Sequence, residues 1–191
     1  YTGHLYTRDH NAFNSSTTNL GKQFMSGIDF DITGRADTPL GQLQSNLRAT
    51  IMLRDDRQLL PNGAYYSPLG KNDASLAEVT FEYKGVWSNT MRTGNWQNTL
   101  NINFLSGYDD DPTDVYEVDA NGAIIGAENV TLKVKPYFSF DWQTAYSFNK
   151  NLTLAFGIKN LFDSHPPLSL RTSGGHMLGF DYRYYNPLGR T

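Results

Sequence analysis

Six segments of this chain alternate apolar and polar residues over long runs, and the connections between them alternate between short and long. The segments are 23–35, 42–54, 80–92, 95–108, 134–148 and about 151–162. A period of two is the mark of a β-strand with one apolar face, and no window carries the i, i+3, i+4, i+7 stripe of an amphipathic helix. In the first segment Phe24, Ile28, Phe30 and Ile32 oppose Gln23, Asp29, Asp31 and Arg35. Leu43, Leu47, Ala49, Ile51 and Leu53 oppose Gln42, Gln44, Asn46, Arg48 and Arg54 in the second. The third and fourth set Phe81, Tyr83, Trp87 and Met91, then Trp96, Leu100, Ile102, Phe104 and Tyr108, against polar partners. In the last two the apolar faces hold Phe138, Phe140, Trp142, Tyr146 and Phe148, then Leu154, Phe156 and Ile158.

Parity tests the pairing. A two-residue turn at Thr93-Gly94 sets Met91 against Trp96 and Arg92 against Asn95, so like meets like along the pair. Phe148 and Leu152 are both apolar, which requires an odd loop, Asn149-Lys150-Asn151, with Asn151 in the left-handed region. Short turns fall near 36–41, at 93–94 and at 149–151, and long polar loops at about 55–79, 109–133 and 163–190. Short turns on one side and long loops on the other are the pattern of an outer-membrane barrel. Strands of about 12 residues, rising ~3.3 Å per residue and tilted by ~45°, cross roughly 28 Å, close to the hydrocarbon thickness. Soluble sandwich strands average nearer five or six residues. The reading is an all-β, antiparallel transmembrane segment whose apolar face meets lipid. A soluble sandwich is the alternative.

Composition agrees. Aromatics make up 14% of the chain, and with 17 glycines they favour β structure over helix. A net charge of −3 with no run of Lys or Arg leaves no footprint for nucleic acid. The absence of cysteine excludes disulfides, thiolate metal sites and a Cys nucleophile. Trp96, Tyr146 and Phe148 near the short turns, and Phe104, Tyr108 and Phe162 near the long loops, form two expected aromatic girdles.

Two motifs carry a resemblance. Gly157-Ile158-Lys159-Asn160-Leu161-Phe162-Asp163 and Asn186-Pro187-Leu188-Gly189-Arg190-Thr191 resemble the end of the TonB-dependent receptors of Gram-negative outer membranes. The stretch containing Asn19, Gly21, Gly27, Ile28 and Asp29 is similar to an earlier strand of that family. The resemblance implies a C-terminal part, residues 1–191, of a larger barrel of about 22 strands. It implies a plug, a TonB-contacting box, earlier strands and a last strand beyond this sequence. Six strands cannot close in lipid, so the chain is expected to be a fragment with both ends on the extracellular side. Thr191 is expected beside the strand at 151–162, heading back into the membrane.

The function implied is energised import of a scarce nutrient: a ferric siderophore, cobalamin, heme, a metal chelate or an oligosaccharide. The implied partners are outer-membrane lipid, the rest of the same receptor, the TonB complex through the plug, and a small-molecule or glycan ligand. No nucleic acid and no cofactor are expected. Ligand contacts are expected in the long loops, at Tyr65, Tyr66 and Arg57, at Tyr108, and at His165, Arg171, His176 and Arg183, because aromatics and Arg stack on and pair with such ligands. Asp109-Asp110-Asp111 is a weak candidate for Ca²⁺, chiefly through Asp109 and Asp111, without the Gly and distal Glu of an EF-hand. Asp29, Asp31 and Asp141 are expected to face a hydrated lumen. Nothing matches a nucleophile elbow, a P-loop or a zincin motif, so no enzyme is expected. A plug-less porin or adhesin and a soluble carbohydrate-binding module remain as other function classes. A small hairpin at 115–127, turning at Asn121-Gly122 in type I′ geometry, is expected to project from the second loop.

Overall fold

The computed structural model describes residues 21–73, 78–170, 179–186 and 188–191. Twelve strands fall among them. They are β1 (Lys22–Thr38), β2 (Gly41–Gln58), β3 (Asn72–Asp73), β4 (Glu78–Val79), β5 (Tyr83–Thr93) and β6 (Trp96–Leu105), followed by β7 (Tyr108–Asp109), β8 (Thr113–Val118), β9 (Ile124–Val130), β10 (Lys133–Val134), β11 (Tyr137–Asn149) and β12 (Leu152–Ile158). The six long ones make one antiparallel meander in the order β1-β2-β5-β6-β11-β12, and the short ones form three separate two-stranded sheets. Strands β1 and β12 are its two edges and do not pair with each other. Thr191 exchanges backbone hydrogen bonds with Lys159, at 2.7 and 3.2 Å, so the chain begins a pairing on the free edge of β12. That is the expected position of Thr191. Tyr1 and the stretch before residue 21 lie outside the described residues.

Turn chemistry holds each hairpin, with three corrections to the expected detail. Between β5 and β6 the turn residues are Gly94 and Asn95, because Thr93 pairs with Trp96. Only Gly94 has positive φ, 57°, the pattern of a type II′ turn with glycine first. The register therefore slips by two residues from the expected one, which leaves every side chain on its expected face. Asn151 is not in the left-handed region. Its N–H is accepted by the Asn149 side chain at 2.9 Å, and a register shift between Ser147 and Asn149 supplies the odd residue. The hairpin of β8 and β9 forms where expected, but not through a type I′ turn. Gly122 alone has positive φ (82°), its N–H donates to Asp119 O, and the register shifts between Glu117 and Val118. This is a type I turn followed by a left-handed glycine, and the register shift leaves Ile125 as the extra residue of β9. The Asp119 carboxylate accepts the N–H groups of Asn121 and Ala123, which holds its pKa below the usual carboxylate value.

The two faces of the large sheet differ as the alternation requires. One bears Ile28, Phe30, Ile32, Leu47, Trp87, Ile102, Phe138, Phe140, Leu154 and Phe156, and no layer of the described chain covers it. Three of its polar groups bond one another: the indole N–H of Trp87 donates to Ser45 Oγ, and that hydroxyl donates to Asn89. Gly85 lies under the Phe104 ring, where a Cβ would stand 2.5 Å from Cζ. The other face is a hydrogen-bonded polar lattice. Asn46 donates to Asp31 and Thr33, Thr50 to Asp29, Ser88 to Asn101, and Asn103 to Asp141.

Three residues leave their expected faces. The β1–β2 register shifts between Ser26 and Gly27, which gives β2 an extra residue at Leu53. Beyond that bulge the alternation of β2 reverses, so Arg54 stands over the Phe24 ring, 5.7 Å from its centroid, on the apolar side. Phe81 and Tyr108 lie outside the long strands. They turn into a small core among the loops, and Tyr108 is buried there rather than belonging to a girdle. Trp96, Tyr146, Phe148, Phe104 and Phe162 stay on the apolar face, in contact with other rings of that face.

The exposed apolar band and the strand lengths fit hydrocarbon contact. Phe140→Arg is expected to destabilise the assembled barrel by about 2–4 kcal/mol. Spin labels at 138, 140 and 154 should report lipid and labels at 139 and 141 water; equal water accessibility on both faces would exclude membrane insertion.

Candidate functional site

The long loops fold on one another at the end of the sheet opposite the short turns. Val79 from the first, Tyr108 and Val134 from the second form a buried cluster, with Phe81 and Tyr184 packed against it. Phe81 meets Tyr108 and Tyr184 edge to face, with centroids 5.9 and 4.9 Å apart. Tyr137 meets Tyr185 likewise at 5.0 Å. The Tyr184 hydroxyl accepts the Val79 N–H at 2.9 Å, tying the third loop to the first. Asp109 N–H donates to Gly70 O at 2.8 Å, tying the second to the first.

One carboxylate joins all three loops. Asp110 is 2% exposed. One of its oxygens accepts Asn72 Nδ2 at 3.0 Å from the first loop. The other accepts the Ser169 hydroxyl at 2.8 Å and the Leu170 N–H at 2.7 Å from the third. A buried carboxylate needs such donors, since ionised oxygens without them cost far more than neutral groups. Asp109, beside it, pairs with Lys133 at 3.3 Å. The acidic run is therefore used as structure at two of its positions, and among the described residues no three acidic or imidazole groups converge as a metal site.

A second carboxylate network lies at the same end. Asp55, fully buried, accepts Gln23 Nε2 at 2.8 Å, the Arg57 guanidinium at 2.7 Å and the Thr80 hydroxyl at 3.2 Å. Arg57 belongs to β2 rather than to a loop, and it also pairs with Glu78. Its guanidinium is thereby committed to carboxylates.

The expected ligand residues divide. Tyr108 and Arg183 come together around Asp181, which is fully buried and holds the Arg183 guanidinium at 2.9 Å. Arg183 also lies over the Tyr184 ring at 5.1 Å. Tyr65 is elsewhere, exposed beside Phe24 at 5.7 Å, and Tyr66 donates its hydroxyl to Asp73 at 2.7 Å. His165 is exposed, apart from both. Arg171 and His176 lie outside the described residues. Tyr184 and Tyr185 were expected to pack against neighbouring loops, and they do; Asn72, Ser169 and Asp181 were not expected, because each is an ordinary loop residue until its partner is known.

Beneath these loops the polar face of the sheet walls a cleft of about 840 Å³. Its charges balance: Asp29, Asp31 and Asp141 face Arg48, Lys84 and Lys159. Tyr137, Ser139, Asn103, Asn160, Tyr184 and Asn186 also line it, the last three from the chain after β12, together with apolar Phe30, Val86, Phe104 and Leu105. Asn160 is placed by its own turn. It has φ 51°, its N–H donates to Asp141, and its side chain bonds Ser164 N–H and O at 2.8 and 3.0 Å. Asp163, at φ 54°, accepts the Arg190 N–H at 3.0 Å. The Asn-Leu-Phe-Asp run therefore ends β12 and anchors the segment that starts beside it.

Replacing Asp110 with Ala is expected to cost roughly 3 kcal/mol, because buried donors on two loops lose their acceptor. Hydrogen exchange should quicken together at 69–73, 108–110 and 169–170; a change in one loop only would refute the joint. Burial, with the Asp110 and Asp181 carboxylates adding to it, pushes the Tyr108 phenol up to about 12 from an ordinary value of 10.0. A raised pKa means that the folded loops hold this proton more tightly. The associated stability is complete below pH 10 and is lost as pH rises through about 12, which a difference titration against Tyr108→Phe will read by phenolate absorbance.

No curated protein and no solved structure matches the chain. A model of the TonB dependent receptor-like β-barrel matches residues 3–161. That match covers most of the chain, and the open antiparallel meander with one apolar face is consistent with part of such a barrel. The chain belongs to the TonB-dependent receptor β-barrel family.

Proposed function

We propose that this chain forms the lumen wall and part of the extracellular cap of an outer-membrane active transporter, driven through a plug and its TonB partner. The carrying observation is the placement of the loops. Three loops far apart in sequence are fastened into one body by Asp110, and the third reaches over the charge-balanced cleft with Tyr184, Asn186 and Asn160. A cap of that kind suits ligand capture above a gated lumen better than free passage. Two unpaired sheet edges would leave backbone groups unsatisfied in hydrocarbon, so further strands must complete the barrel. Within this reading the loops, the plug and outer-membrane lipid are the partners, and Gram-negative outer membrane is the location.

The lining favours an uncharged, hydroxyl-rich ligand, such as an oligosaccharide, over a polyanionic ferric siderophore or heme. Uncharged amide, hydroxyl and phenol groups share it with apolar side chains, and the three carboxylates are matched by three cations. Tyrosine adds a flat face for sugar contact.

The test is uptake by cells carrying the complete receptor. Accumulation of the nutrient should stop when the inner-membrane energy source is collapsed, and the purified receptor in liposomes should not pass small sugars. Free diffusion through those liposomes would establish a passive pore instead. Reversing Arg48 and Lys84 to Glu should reduce uptake of an anionic chelate at least tenfold while leaving that of a neutral oligosaccharide within about twofold, the difference that like-charge repulsion of roughly 1.4 kcal/mol or more produces. Equal loss for both would remove the charge argument.

A further inference from the structure

The apolar face carries a second, smaller cleft at the short-turn end, and nothing above assigns it a ligand. It has a volume of about 380 Å³ and is lined by Trp96, Thr144, Tyr146, Phe148, Leu154 and Phe156. These residues come from three adjacent strands: Trp96 from β6, Thr144, Tyr146 and Phe148 from β11, Leu154 and Phe156 from β12. Register explains the cleft. Tyr146 pairs with both Trp96 and Leu154, while Thr144 pairs with Phe156 and with Asn98. The small Thr144 side chain thus stands between aromatic walls and leaves a trough. Trp96 and Tyr146 lie 4.7 Å apart by ring centroids, and Tyr146 and Phe148 lie 4.8 Å apart at 82°. Fixed ring contacts of this kind keep the walls from collapsing into the gap.

Two features of the place indicate the occupant. The trough is continuous with the band that faces hydrocarbon, so what fills it comes from the membrane. Beyond Phe148 the chain turns at Lys150-Asn151, at the level where head groups begin. Lys150 is exposed and forms no ion pair with a described residue. Neither adjacent turn, 93–98 or 147–152, contains an Asp or Glu that would compete for it. A strand added to the free edge of β12, where Thr191 already pairs with Lys159, lies in the plane of the sheet and leaves the trough open.

We propose that this trough is a phospholipid site of the periplasmic leaflet. One acyl chain lies along Trp96, Phe148, Leu154 and Phe156 over Thr144, and the phosphate sits on Lys150. The ligand is a glycerophospholipid rather than a lipid A, because short turns face the periplasm and lipid A occupies the other leaflet. The site rests on the membrane reading of the chain but not on which nutrient is carried.

The experiment is native mass spectrometry of the complete receptor, released from detergent after incubation with 16:0/18:1 phosphatidylglycerol. The wild type is expected to retain one lipid. Thr144→Phe, which fills the floor of the trough, should lose it, and Leu154→Trp, which fills it from the opposite wall, should do the same. Lys150→Gln should weaken retention about fivefold, the loss of one lysine near an anionic surface. Equal retention by wild type and both filled variants would overturn the site, as would an unchanged affinity in Lys150→Gln or a preference for lipid A over phosphatidylglycerol. Detergent dependence of all four proteins checks the membrane reading separately, since a receptor soluble without detergent would fail there first.

Discussion

In hydrocarbon, a backbone N–H or C=O has no water to turn to, and every other feature of this chain follows from that. Each interior strand of the meander is paired on both sides, so the six long strands share one continuous ladder. The pairing requirement makes the strands long, because a ladder that ended inside the membrane would leave polar groups in oil. It also explains why irregular backbone is confined to the ends. The Leu53 bulge lies near the loop end of β2, and the Ser147–Asn149 irregularity lies beside a turn. The edges at β1 and β12 are the remaining demand, and the Thr191–Lys159 bonds are the first rung of its solution on one side.

Water governs the loop end instead, and there the chain builds a core of a different kind. Its packing is aromatic and modest in extent, and buried carboxylates do much of the joining. Asp55, Asp110 and Asp181 are all nearly or fully removed from solvent; the first two collect donors from residues distant in sequence, and Asp181 holds Arg183 two residues on. Breaking such a group from its donors is costly in a way that losing one surface ion pair is not.

The two clefts show the same sheet solving opposite problems. On the polar face, side-chain amides and hydroxyls bond across strands and leave a hydrated, charge-balanced recess. On the apolar face, one small residue among rings leaves a trough open to lipid. Alternation alone assigns the two characters. Which residues stand next to each other across strands depends on register.

Period two and turn chemistry are local properties of the chain, so the six strands, their alternating faces and the order of short and long connections are legible in the residues alone, while the motifs at 157–163 and 186–191 carry the family resemblance. The sequence placed Asp29, Asp31 and Asp141 on the polar face and Phe140, Leu154 and Phe156 on the other, and it foresaw the hairpin at 115–127, though not its turn type, and the docking of Thr191. It could not place Arg54 or Tyr108, since a single extra residue at Leu53 reverses a face and a departure from the sheet after Leu105 buries a ring. Nor could it separate Asp110 from Asp109 and Asp111, three like residues in a row. Only the tertiary structure decided that Asp110 turns inward to Asn72, Ser169 and Leu170, because a carboxylate's role is set by donors that lie tens of residues away in sequence and a hydrogen bond away in space.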